Sequence, residues 1–314
     1  MVGYAVAVYG PWGCGICERC AAGQENYCLR AAELGIAPPG LGAPGSMAEY
    51  MIVDSPRHLV PIGDLDPVQA APLTDAGLTP YHAIKRSLPK LVGGTTAVVL
   101  GVGGLGHVGI QIIKALSGAQ VVALDVDDEK LALAREVGAD HALMSDDSAV
   151  DAVRDLTHGR GADLVIDFAG IQPTIDLGQK MLGVGGDFSL VGIGHGTPTA
   201  KVGFFQSPYE ASFLVPYWGY RQELFEVIHL AQQGKLTVHT ETFSVDQAPE
   251  ATASSGTARC ADAPSCSSER TFSAPGRHIL PRHFSAAEMN GRPGGPPGRA
   301  GDSAAVGAQG VLAS

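Results

Sequence analysis

The chain has 314 residues, 45% of them hydrophobic and 17% charged, which is enough apolar content to bury a core and too much for global disorder. At 32.3 kDa it exceeds what one compact core usually holds, so two domains are expected. A formal charge of −11 has the wrong sign for a phosphate-backbone binder and argues against nucleic acid as a partner.

Residues 1–90 are rich in Pro and Gly, with short apolar runs at 5–9 and 48–53 that read as strands joined by turns. No basic segment precedes the apolar start, so a signal peptide is not supported and a cytoplasmic location is expected. Disulfides are then not expected. In this mostly β region Cys14, Cys17, Cys20 and Cys28 have the spacing C-x2-C-x2-C-x7-C. Four thiolates so close in sequence suit one tetrahedral zinc ion with no open position, a structural site that holds its loop folded and does no chemistry. An iron–sulfur cluster competes, because ferredoxin spacing also starts with two C-x2-C steps.

From 91 to 236, short apolar runs alternate with helical patterns. Strands are predicted at 97–101, 121–125, 141–144, 164–168 and 188–192, and helices at 104–116, 128–137, 149–156 and 174–182. Such alternation implies an α/β fold with a doubly wound parallel sheet of Rossmann type. The most membrane-like stretch, 95–113, contains glycines and a histidine and reads as a buried strand and helix, so no membrane partner is expected.

Gly101, Val102, Gly103, Gly104, Leu105 and Gly106 follow the first of these strands and open its helix, the context a dinucleotide-binding glycine motif requires. The first glycine allows the tight turn, the second lets the backbone approach a pyrophosphate, and the third lets helix and strand pack closely. The helix N-terminus adds N–H groups and the positive end of its dipole. Asp125 ends the next strand, where a carboxylate accepts hydrogen bonds from the adenosine ribose. Asp125, Asp127, Asp128 and Glu129 would repel a 2′-phosphate, which favours NAD over NADP. A flavin or S-adenosyl ligand on the same fold is the alternative. His107, in the first helical turn, reads as a packing or solvent residue and not as a catalyst.

Beyond residue 250 the chain is dominated by Ala, Ser, Gly, Pro and Arg and loses all periodicity. A disordered tail is expected over 251–314, with a basic interaction tail as the alternative. Cys260 and Cys266 fall in it and are expected to bind nothing.

The cysteine lobe, then Gly45-Ser46-Met47-Ala48-Glu49-Tyr50, then Thr74-Asp75-Ala76-Gly77-Leu78-Thr79-Pro80-Tyr81-His82, then the glycine loop, resemble in unbroken order the zinc-dependent medium-chain alcohol dehydrogenases. The likeness is greatest to bacterial NAD-dependent secondary alcohol dehydrogenases and spans residues 2 to about 250. It implies a partial GroES-like catalytic domain over 1–90, a Rossmann domain over 91–236 and a return to the first domain over 237–250. It also implies a catalytic zinc that lowers the pKa of a bound alcohol while hydride passes to the nicotinamide. Asp75 matches the third ligand of that zinc. The family's Cys and His ligands have no counterpart here, so the catalytic zinc is expected to be absent and activity impaired. The other reading of Asp75 is N-cap of a helix over 76–86.

By the same resemblance Tyr217 and Trp218 line the substrate pocket, with Leu41 opposite, and aromatic walls favour apolar or aryl secondary alcohols and ketones. Phe168, Ala169, Gly170, Gly192 and Ile193 neighbour the nicotinamide ring. The resemblance also implies a homo-oligomer, dimer or tetramer, with strands around 212–215 as the contact. Restoring one base after the Ala251 codon of a GC-rich back-translation yields an ending of the family's kind. The expectation is therefore that 252–314 is out of frame and Met1 an internal start or a truncation. Two other functions stay open: a non-catalytic, zinc-stabilised NAD-binding protein, and a zinc-independent reductase of the wider family.

Overall fold

The computed structural model describes residues 3–46, 48–204, 206–244 and 247, with short segments at 270–273, 305–306 and 310–312. The first part of the chain supplies β1 (Val6–Val8), α1 (Glu18–Ala21), β2 (Met51–Ile52), β3 (Leu59–Pro61), α2 (Pro67–Ala70) and α3 (Leu78–Ser87). Here β1 pairs antiparallel with β3, matching Val6 to Pro61 and Val8 to Leu59.

Then β and α alternate: β4 (Thr96–Leu100), α4 (Gly106–Leu116), β5 (Gln120–Asp125), α5 (Asp128–Glu136), β6 (His141–Met144) and α6 (Ser148–Leu156). The series continues with β7 (Ala162–Asp167), α7 (Gln172–Met181), β8 (Leu182–Leu190), β9 (Ser212–Leu214) and α8 (Arg221–Gln232). β4 to β9 form one parallel sheet in the order β6-β5-β4-β7-β8-β9. This is the expected doubly wound Rossmann arrangement, with its switch point between β4 and β7.

Alternate residues of β4 serve opposite faces, and both faces are covered. Ala97 and Val99 join Ile110, Ile112 and Ile113 of α4 in one core, whereas Val98 and Leu100 join Val153 of α6 and Ile175 and Met181 of α7 in the other. Most boundaries shift by one or two residues from expectation, and two of the differences have a structural reason. The helix predicted from 104 starts at Gly106, because the glycine turn occupies 101–105, and the strand predicted at 188–192 runs from Leu182, with a register shift against β7 between Ala162 and Leu164.

After α8 the chain returns to the first part. Gln111 of α4 clamps Thr237 by donating to its carbonyl at 2.8 Å and accepting its N–H at 2.9 Å, and Gln69 donates to Thr240 Oγ1 at 2.9 Å. β10 (Glu241–Ser244) follows. Most of the expected tail lies outside the described residues, including Cys260 and Cys266. Within them, β11 (Arg270–Ser273) pairs with β10 and with β13 (Gly310–Leu312), and β12 (Ala305–Val306) pairs with β2. Among the described residues no helix is long and apolar enough to cross a membrane.

Candidate dinucleotide and metal sites

Cys14 and Cys17 precede α1, Cys20 lies on it, and Cys28 follows a short 3-10 turn over Glu25–Tyr27. The four sulfurs all lie within 4.8 Å of one another. Cys14 and Cys20 are 3.9 Å apart, close to the about 3.8 Å that a tetrahedron with metal–sulfur bonds of about 2.3 Å requires. The thiols converge on one point, as a single ion needs, whereas an iron–sulfur cluster would spread them over its corners. None is in a disulfide.

Backbone N–H groups already address the sulfurs: Cys14 donates to Cys28 Sγ and Cys17 to Cys14 Sγ, both at 3.3 Å. The N–H groups facing Cys17 bring its thiol down to about 6, and burial pushes Cys20 up to about 12. A metal overrides such differences by binding all four as thiolates. A Cβ on Gly13 would lie 2.6 Å from Cys20 Sγ, so glycine is needed beside the cluster. Glu25 is buried behind it, with Arg57 at 4.0 Å and Arg221 at 3.4 Å.

At the switch point, Gly101 takes a φ of +88° and a Cβ on Gly106 would overlap the Gly101 carbonyl. Only glycine fits this turn. Leu105 stands at the N-cap of α4 without a side-chain cap, so the turn Gly103–Gly104–Leu105 leaves first-turn N–H groups for an anionic ligand. The Asp125 carboxylate accepts N–H bonds from Val102 at 2.7 Å, Val126 at 2.8 Å and Asp127 at 3.2 Å. It therefore ties the glycine turn to β5. His107 is pinned: Nδ1 meets the Gly103 carbonyl at 2.8 Å and Nε2 accepts the His239 N–H at 3.0 Å. This fixes a neutral tautomer, and burial lowers its pKa, so the packing reading of His107 holds.

Sequence reasoning missed Asp167, which lies across the switch point from the glycine turn. Fully buried at the end of β7, it accepts N–H bonds from Ala169 at 2.8 Å and Gly170 at 2.9 Å and the Thr174 hydroxyl at 2.7 Å, while burial raises its pKa. An acidic residue closing a parallel strand beside the switch point was the available signal. Gly170, at φ +66°, presses on Gly192 so closely that a Cβ on either would overlap the other's loop. Ile193 is 82% exposed at that edge. The Phe168 ring lies against α4, 2.9 Å from where a Cβ of Gly109 would sit, so it packs helix to sheet.

Asp75 precedes α3, which starts at Leu78 with Gly77 at its N-cap and no side-chain cap. The N-cap reading of Asp75 is thus corrected: its carboxylate accepts the Thr79 hydroxyl at 2.7 Å, and burial raises its pKa. The Trp218 indole donates to the Thr74 carbonyl at 2.9 Å, which brings the aromatic pair beside Asp75. Burial, then the Asp75 charge, raises the Tyr217 hydroxyl, and the two aromatic rings meet edge to face at 6.2 Å. Leu41 is 58% exposed on the turn bridged by Pro39 and Ala43. Among the described residues, the one group of three or more His, Cys, Asp or Glu side chains able to share a metal is the cysteine cluster. Asp75 alone does not fit a catalytic zinc.

A glycine turn at the switch point of a parallel sheet, joined to a tetrathiolate lobe, defines a dinucleotide-binding protein with a structural metal. The family profiles agree: "Alcohol dehydrogenase GroES-like domain" matches residues 1–64 and "Zinc-binding dehydrogenase" matches 104–233. An NAD-dependent alcohol dehydrogenase of Sulfurisphaera tokodaii is 33% identical over 258 residues, 80% of this chain and 72% of the relative. Solved structures are similar as well. The D-arabinose dehydrogenase of Sulfolobus solfataricus matches with TM-score 0.71 and 32% identity, covering 78% of this chain and 74% of that one. The acetophenone reductase of Geotrichum candidum in complex with NAD matches with TM-score 0.65 and 30% identity, covering 80% and 69%. The chain belongs to the zinc-dependent medium-chain alcohol dehydrogenase family, and by family it is an NAD-linked, zinc-containing oxidoreductase.

Proposed function

We propose that this chain transfers hydride between NAD and apolar or aryl secondary alcohols or ketones, and that the polypeptide as it stands is impaired in doing so. The observation that carries this reading is Asp75, standing beside Tyr217 and Trp218 and belonging to no group of three or more metal-ligating side chains among the described residues. Bound NAD supplies the hydride-accepting ring. The chain's residues do the rest of the binding: the turn at Gly101, Gly103, Gly104, Leu105 and Gly106 holds the pyrophosphate, and Asp125 takes the ribose hydroxyls. The loops at Phe168–Gly170 and Gly192–Ile193 flank the nicotinamide end. Tyr217 and Trp218 wall the substrate side, with Leu41 at its rim, and their rings can stack against an aryl group.

The division into 1–90, 91–236 and 237–250 is part of the same proposal, as is self-association through β9. Cys14, Cys17, Cys20 and Cys28 hold one structural zinc. Metal analysis of purified protein is expected to give one zinc per chain, with NADH bound and little turnover of 1-phenylethanol. Two zincs, or brisk turnover that a chelator abolishes, would overturn the impairment. Turnover indifferent to zinc removal would instead mark a zinc-independent reductase, and NADH binding with no turnover of any alcohol a non-catalytic binder.

A further inference from the structure

The turn at 217–221 carries the aromatic pair, yet much of what holds it comes from the cysteine lobe. The Asn26 amide donates to the Tyr217 carbonyl at 2.8 Å, and the Arg221 N–H donates to the Gly23 carbonyl at 3.3 Å. The Arg221 guanidinium lies 3.4 Å from buried Glu25. Tyr27 meets His82 Nε2 at 3.3 Å, His82 Nδ1 meets Glu223 Oε2 at 2.8 Å, and that same oxygen accepts the Tyr220 N–H at 2.8 Å. Gly23, Glu25, Asn26 and Tyr27 all belong to the loop between Cys20 and Cys28, which a metal held by the four sulfurs would clamp at both ends.

The turn needs holding. Trp218 has a φ of +54°, a left-handed conformation that a bulky side chain avoids and that persists only where its surroundings impose it. Its indole bond to Thr74 fixes one side, and the carbonyls before and after it are taken by Asn26 and by the Tyr9 hydroxyl, which donates to Gly219 at 2.7 Å. Gly10 lies so close to the indole ring that a Cβ there would overlap it.

We propose that the cysteine lobe positions the substrate wall: metal at Cys14, Cys17, Cys20 and Cys28 fixes the loop between them, and Glu25, Asn26 and Tyr27 hold the Tyr217–Trp218 turn in its strained form. Asn26 is a positioning residue in this scheme, acting through Tyr217 and Trp218. The inference rests on the reading of those two residues as the pocket wall.

The protein contains two tryptophans, so labelling the full chain with 5-fluorotryptophan gives one 19F resonance for Trp12 and one for Trp218, assigned with Trp12→Phe. Zinc-loaded protein is compared with chelator-treated protein, with Cys17→Ser and with zinc-loaded Asn26→Ala. Loss of metal is expected to move or broaden the Trp218 resonance and to raise its acrylamide quenching about twofold, with NADH affinity and helix content unchanged. Asn26→Ala should reproduce that change while keeping its zinc. An unmoved Trp218 signal after metal loss overturns the proposal. So does a change that comes only with lost NADH binding, which is general unfolding. If the signal follows zinc but 1-phenylethanol with NAD never shifts it, the wall reading fails and the hold of the lobe on the turn stands.

Discussion

His58 carries no proton near neutrality because it is wholly buried, stacked on Trp12 at a ring distance of 4.9 Å. Burial lowers its pKa to about 4 even though Asp54 Oδ1 lies 2.8 Å from Nδ1 and pulls the other way. The unfolded chain protonates this imidazole near pH 6.5 and the folded protein only near 4, so between those values the unfolded state binds more protons. Stability from this residue is therefore complete above pH 6.5 and is lost as pH falls toward 4. Between pH 7 and pH 4.5 the native protein is expected to lose about 2 kcal/mol more than His58→Gln does, from urea unfolding at each pH. Parallel curves for the two proteins would show that His58 titrates as an exposed histidine does.

At the scale of elements, the junction of the βα turn with α4 leaves no room for a side chain at Gly106. Gly106→Ala would force its methyl into the Gly101 carbonyl, so the helix must move from the strand or the turn must open. Either response removes the N–H cradle: loss of detectable NADH binding is expected by fluorescence titration, with a stability cost of about 3 kcal/mol in urea unfolding. Retained binding would place the dinucleotide elsewhere. This turn was legible because the identity of the residue is dictated by backbone geometry, and β4, β5 and β7 were legible because buried parallel strands are apolar at nearly every position. The backbone bonds of Asp125 and Asp167 were not legible. Each holds backbone N–H groups of a loop, Asp125 reaching across from β5 to Val102, and no local spacing encodes such bonds. The start of α3 misled for a related reason: Asp75 has the right residue type for a cap, but its carboxylate goes to the Thr79 hydroxyl. The contacts of Asn26, Tyr27 and His82 with the turn before α8 join segments far apart in the chain, and periodicity carries nothing about them.

Across the whole molecule, the sheet closes on one side with β6 and on the other with β9, which pairs with β8 and leaves its outer row of N–H and C=O groups open among the described residues. An open edge is a template for another strand, and proteins that do not use it guard it with charge or proline. β9 reads Ser212-Phe213-Leu214 and is followed by Val215, 78% exposed, with no charged residue in the strand. Two copies related by a two-fold axis could join antiparallel at this edge into one continuous sheet, each residue meeting its own counterpart or a near neighbour. Val215→Lys places like charges near that axis while leaving an already exposed position exposed, so the fold should tolerate it. Light scattering over a concentration series is expected to give the native protein a mass of two chains or four and to shift Val215→Lys toward the single chain, with dimer affinity weakened about tenfold or more and NADH affinity unchanged. A native protein that stays at the mass of one chain at every concentration would leave β9 a solvent edge and remove self-association from the proposed function.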